Sequence, residues 1–334
     1  MLRDLDNFDF YTAPADRWTM VGVTTIVAGQ GRNGTSALYV NGNGWGVYRV
    51  YDNQSTWICH FAVKFGAIHA SSASSFFRLN DVATVQVALH IVNGGYLQIL
   101  RGTTVLATGT TQLGVGVYYH IQVKATIHLT AGSVEVRLNN ETEISVSGVN
   151  TRQSANAYAD RVGFIGGGAW TAPFYIDDYV ALDTQGTVNN DFLGDRRVYL
   201  KLADGAGNYA EWTPSAGANW QNIDDAAQDA DTTYNSSGTP GQKDSFTFAG
   251  AGLVGTVHGL MVLWRLRKDD AGTRNIRRLI RIGGADYFGA SLANMPDDYI
   301  YQEETLEQNP ATSPESAWTT AVVDAAEYGY DLES

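Results

Sequence analysis

From Tyr119 to Leu129 the chain alternates without a break. Tyr119, Ile121, Val123, Ala125, Ile127 and Leu129 are apolar or small, and His120, Gln122, Lys124, Thr126 and His128 are polar. A period of two puts the two sets on opposite faces of an extended strand, one buried and one outward. A short turn, Thr130-Ala131-Gly132, leads into a second alternating run. There Val134, Val136 and Leu138 point one way, and Glu135 and Arg137 the other. Such hairpins require antiparallel sheets with one packed face. They predict a β-sandwich, not a cofactor-binding α/β enzyme.

The pattern recurs. Val85, Val87, Leu89 and Ile91 alternate with Gln86, Ala88 and His90, and Asn93-Gly94-Gly95 then turns the chain into Tyr96–Leu100. Asn and Gly tolerate the positive φ that tight hairpins need. Val162–Ile165, a Gly-rich bend at 166–168 and the strand Phe174–Leu182 close this half. After Asp183 the texture turns polar, which predicts a domain of residues 1–185, a linker at 186–194 and a second domain over 195–334. In the second domain a strand is expected from Arg197 to Leu202. A hairpin is expected to join Leu260–Arg267 to Asn275–Ile282 through Lys268-Asp269-Asp270-Ala271-Gly272. Trp318–Tyr328 is expected as a last strand or short helix. The fold class is all-β, a sandwich followed by a smaller antiparallel β domain.

Three segments carry a resemblance in the first half: Arg32–Val40, Tyr119-His120-Ile121-Gln122-Val123 and Tyr175–Asp183. Over roughly 1–185 the chain resembles the concanavalin A-like, laminin-G-like jelly roll. In the second half Gly194–Val198, Trp212-Thr213-Pro214-Ser215, Asn219-Trp220, Asp231–Tyr234, Gly241–Asp244, Lys268–Gly272, Asn309–Thr312 and Trp318-Thr319 stand in order. That order resembles a module of tailed-bacteriophage structural proteins. The resemblance implies a virion component made in the bacterial host cytoplasm, and no catalytic residues come with it.

Composition narrows the partners. The chain has 334 residues, only 17% of them charged, and a net charge of −13. That sign disfavours nucleic acid and anionic membrane surfaces. No stretch is apolar enough to span a bilayer, and the first residues carry no signal-peptide pattern. The single cysteine, Cys59, lies on the same side as Trp57, Phe61, Val63 and Phe65, so it is expected as a core thiol.

Several constellations invite a chemical reading. Gly29-Gln30-Gly31-Arg32-Asn33-Gly34 fits G-x-G-x-x-G, but the alternating Thr35–Val40 follows where a dinucleotide site needs a helix. Glu141 and Glu143 have same-face spacing for a glycosidase pair, yet they follow the turn residues Asn139-Asn140. Asp177 and Asp178 should face opposite ways. His60, His90, His120 and His128 fall on polar alternates and are expected at solvent or an interface, too dispersed for a metal. Asp224, Asp225, Asp229 and Asp231 form a candidate Ca²⁺ loop without EF-hand spacing. No metal or other cofactor is expected.

Two sets of candidate binding residues remain. Arg265, Arg267, Lys268, Arg274, Arg277, Arg278 and Arg281 run against the net charge. They suit an acidic protein surface, either a neighbouring subunit or the chain's own Asp297–Glu307. Trp45, Tyr48 and Trp170, with Trp212 and Trp220, are aromatics in or beside loops that can stack on sugar rings or anchor those loops. The expectation drawn from all this is a noncatalytic structural protein exposed on a phage particle, in its tail, fibre or adaptor. It would form a homo-oligomer and contact other virion proteins. The alternatives are a carbohydrate-binding adhesin that touches a host glycan, a capsid decoration protein, or a glycan depolymerase using Glu141 and Glu143.

Overall fold

The computed structural model describes residues 1–69, 73–168, 173–227, 229–248, 250 and 252–334. Two compact units divide it, Met1–Val198 and Tyr199–Ser334. Both are built of antiparallel strands, and the one α-helix among the described residues is Thr320–Ala325.

In the first unit two eight-stranded sheets share one core, a β-sandwich of jelly-roll type. The first sheet runs in the order Glu141–Val149, Gly132–Leu138, Tyr118–Thr126, Thr56–Phe65, Phe174–Asp183, Ala37–Val40 and Thr24–Val27, with Leu2–Asp6 also paired to Phe174–Asp183. The second runs Thr104–Thr108, Tyr96–Arg101, Thr84–Val92, Ser74–Asp81, Ala159–Ile165, Gly46–Gln54 and Thr19–Val21, with Gly167–Gly168 against Ser74–Asp81. The long hairpin forms in the expected register, Ile121 opposite Leu138 and Val123 opposite Val136.

Alternation fills the core. Trp57, Cys59, Phe61, Val63 and Phe65 from the first sheet meet Phe76, Phe77, Val87, Leu89 and Phe164 from the second. Phe61 stacks on Phe77 at 5.2 Å and meets Phe164 edge-on at 5.1 Å. Emptying one such site by Phe→Ala costs about 3–5 kcal/mol. Cys59 is a core thiol, and burial pushes its pKa far above the ordinary value.

Two bulges break the period of two. A register shift between Ser75 and Phe77 lets Phe76 and Phe77 both enter the core. Another between Asp177 and Val180 puts Asp178 at φ 53°. The two acids therefore do not diverge as alternation predicts. Asp177 accepts from the Arg32 amide at 2.6 Å, while Asp178 lies 3.5 Å from the Arg32 guanidinium. Burial and the Asp178 charge raise the Asp177 pKa to about 7.

Residues 186–198 belong to this unit. Phe192, Leu193 and Val198 pack on Leu2, Ile58, Val180 and Leu182, on the outer side of the first sheet. Gly194 donates to Gln122, Lys124 pairs with Asp191, and Arg32 grips Asp195 through both terminal nitrogens at 2.6 and 2.5 Å. No strand forms from Arg197 to Leu202, where Val198 instead donates its amide to Asp178.

In the second unit a five-stranded sheet runs Gly205–Ala210, Lys243–Thr247, Glu327–Leu332, Ile276–Ile282 and Ala285–Leu292. The expected hairpin is corrected here. Leu260–Leu266 pairs with Ile300–Leu306, and Ile276–Ile282 turns instead through Gly283-Gly284 into Ala285–Leu292. Those glycines have φ 60° and 87°, the left-handed pair that a two-residue hairpin turn demands, which Lys268–Gly272 does not offer. The Thr319 side chain caps Thr320–Ala325, which packs Val323 against Ile280 and Trp318.

Candidate functional site

The outer face of the second sheet carries the strongest site. Its strands send alternate residues into the core, so the others line up across the sheet by register. One row runs from Gly167 through Ser75 and His90 to Gln98. Gly166 exchanges backbone hydrogen bonds with Gly44 and Trp45, Gly167 pairs with Ser75, Ser75 with His90, and His90 with Gln98. The next row holds Tyr48, Gly163, Arg78 and Ala88. Over Gly163 the Tyr48 Cβ and the Ile165 Cδ1 close in, so Ile165 lies on this face between Tyr48 and Arg78.

Ser75 and Arg78 are three residues apart and would face opposite ways in a regular strand. The bulge at Phe76 brings them together. The Ser75 hydroxyl donates to the Ile165 carbonyl at 2.9 Å, so it can only accept from Arg78. It does so from Nε at 3.1 Å and Nη2 at 2.6 Å. The guanidinium lies over Gly167, where any Cβ would collide with it. Burial lowers the Arg78 pKa, and no acid raises it back. Beside it, burial and the Arg78 charge lower the His90 pKa to about 4, and Nδ1 has no hydrogen-bond partner among the described residues. His90 is therefore neutral at pH 7.

Trp45 is 40% exposed, yet its indole is fixed. A Cβ on Gly22 or on Gly42 would strike the ring, so two bare backbone segments cradle it. Tyr48, half-buried, lies under the Arg161 guanidinium at 4.9 Å. Trp170, expected with these two, lies outside the described residues. Arg78, Ser75 and His90 were missed as site residues because only the bulge aligns them.

The other candidates disperse. Glu143 accepts from the amides of Thr110 and Thr111 and the Thr111 hydroxyl, and so holds that loop while Glu141 stays exposed. His60 and His120 correct the expectation of solvated histidines, being 0% and 1% exposed with rings 5.9 Å apart. Asp229 caps Thr233, and Asp231 pairs with Arg267 and Tyr299. Among the described residues no group of three or more His, Cys, Asp or Glu is placed to hold a metal, the loop of Asp224 and Asp225 included.

The basic residues of the second unit have partners of their own. Arg267 meets Asp231, Lys268 Asp297, Arg274 Asp270, Arg277 Asp331 and Glu333, Arg278 Glu304, and Arg281 Asp286. Arg265 lies over the Tyr299 and Tyr301 rings. Trp212 packs edge-on against Tyr330 at 4.5 Å, beside a buried Asp244 that takes hydrogen bonds from Glu211, Trp212 and Asn219. Several residues quoted for the virion resemblance therefore meet around one carboxylate.

No known protein family matches the chain, and no curated protein does. Among solved structures, a cellulose-induced protein, Cip1, is similar over 54% of this chain and 97% of its own, at 15% identity and TM-score 0.44. The alginate lyase Aly36B is similar over 54% and 96%, at 13% identity and TM-score 0.39. A Trypanosoma rangeli sialidase is similar over 43% of this chain and 25% of its own, at 15% identity and TM-score 0.34. These are likenesses of a β-sandwich, and none bears on the expected virion role. The expectation of a noncatalytic chain is corrected, because a lyase and a sialidase stand among the similar structures.

Proposed function

We propose that the second sheet binds a polysaccharide chain, from its end at Trp45 along its outer face. The observation that supports this best is the Trp45 indole, open to solvent and held by Gly22 and Gly42. A pre-fixed aromatic ring loses little conformational freedom when a sugar ring stacks on it. Tyr48 continues the surface, and His90 and Gln98 supply polar groups for hydroxyls. Few precise polar groups around an aromatic platform is the usual build of a small-molecule site.

Affinity electrophoresis through gels containing neutral and acidic polysaccharides tests it. At least one polymer should retard the protein. Trp45→Ala and Tyr48→Ala should each weaken that retardation about fivefold, the equivalent of about 1 kcal/mol of ring contact. Free migration in every polymer, or unchanged retardation of both variants, would contradict the proposal.

A further inference from the structure

We infer that the polysaccharide bound on this face carries carboxylates, as uronic acids do, and that Arg78 receives one of them. This rests on the face being a polysaccharide site. The chain has a net charge of −13 and 35 acidic residues, and many of its arginines meet a carboxylate. Arg32 grips Asp195, Arg277 takes Asp331 and Glu333, and Arg278 takes Glu304. Among the described residues Arg78 has only the neutral Ser75 hydroxyl as a hydrogen-bond partner. The undescribed stretches 70–72 and 169–172 contain no acidic residue.

The way Ser75 holds Arg78 sets the chemistry. Its proton is committed to Ile165, and its oxygen occupies the Nε–Nη2 edge of the guanidinium. The Nη1–Nη2 edge is left, two parallel N–H donors spaced for the two oxygens of a carboxylate. Gly167 beneath the guanidinium lets it lie against backbone, which limits its motion. His90, one strand over, is neutral at pH 7 and can donate a hydrogen bond without adding charge. The charge of this receptor is thus held ready and uncompensated, and a ligand carboxylate completes it.

The test uses the full chain and matched polymers: alginate, polygalacturonate and hyaluronan, each against its carboxyl-reduced form, with a sulfated neutral galactan as a further probe. Wild type should bind at least one uronate polymer roughly tenfold or more tighter than the reduced form, in the range of a charge-assisted hydrogen bond. Arg78→Gln should lose the preference and bind both forms alike, with an unfolding transition like that of wild type to show that it is folded. Equal binding of acidic and reduced polymers by wild type would overturn the inference and leave the polysaccharide site standing. A preference that survives in Arg78→Gln would overturn it too, and tighter binding of the sulfated galactan would replace carboxylate with sulfate. Binding to none of the polymers would remove the site and the inference together.

Discussion

On the outer side of the first sheet, His60 and His120 stand among Gln122 and Lys124, and residues 186–198 lie over them. On the outer side of the second sheet, His90 stands beside Arg78. The same alternation built both faces. The first is closed by the chain itself, and its central cation, Arg32, is matched by Asp195 and Asp178. Although burial pulls down the Arg32 pKa, those acids raise it above the ordinary value, whereas Arg78 stays below. A polar outer face thus becomes structure where the chain supplies the counter-charge. Where it does not, the cation keeps a neutral partner, as Arg78 does in Ser75.

The largest expected difference between the two faces is in stability. Arg32→Ala takes from Asp195 its bidentate partner and leaves Asp178 to Arg197 alone, and should destabilise the first unit by about 2 kcal/mol. Arg78→Ala removes a desolvated charge with no acid partner and should change stability by less than about 1 kcal/mol. Urea unfolding of the two variants compares them directly, and equal losses would break the distinction.

The pH dependence separates the faces less sharply. A histidine held neutral takes up its proton more readily when unfolded. Stability from His120, whose pKa burial lowers to about 4, is therefore present above about pH 6.5 and is lost as pH falls toward about 4. The loss is on the order of 3 kcal/mol for that shift. Asp177, raised to about 7, has the opposite sign and gains stability as pH falls below about 7. Unfolding of His120→Gln between pH 7 and 4 should therefore show stability that rises on acidification relative to wild type. An unchanged slope would mean that His120 is not held neutral by its cover.

A smaller effect is expected from Gly167→Ala. The new methyl strikes the end of the Arg78 side chain and crowds the Ser75 hydroxyl that holds it. Affinity for the bound polymer should fall roughly fivefold, about 1 kcal/mol, while Tm moves by less than about 2 °C. Smallest of all is a spectroscopic mark. An acidic ligand beside Arg78 should raise the His90 pKa in a histidine NMR titration and leave that of His120 in place.

The strands were legible because alternation survives in single residues: the Tyr119–Leu129 run predicted the register that Ile121 and Val123 adopt. What alternation could not show was where it is interrupted. The bulge at Phe76 turns Arg78 toward Ser75, and the bulge after Asp177 gathers two acids on one loop. An inserted residue leaves no trace in composition, although Phe76-Phe77 side by side was the signal that two inward residues needed one. The Gly283-Gly284 pair was a stronger turn than the charged Lys268–Gly272 and decided the pairing of the second unit. Trp45 and Tyr48 could be named as candidates because aromatics near glycine turns are visible in sequence. The covered histidines were misjudged because the polar residues 186–194 gave no sign of packing on them.

Amide hydrogen exchange with and without the bound polysaccharide tests the central claim most directly. Added protection in Ser74–Asp81, Thr84–Val92 and Ala159–Ile165, with Tyr118–Thr126 and the second unit unchanged, is the predicted result. Protection confined to the first sheet or to residues 199–334 would contradict it.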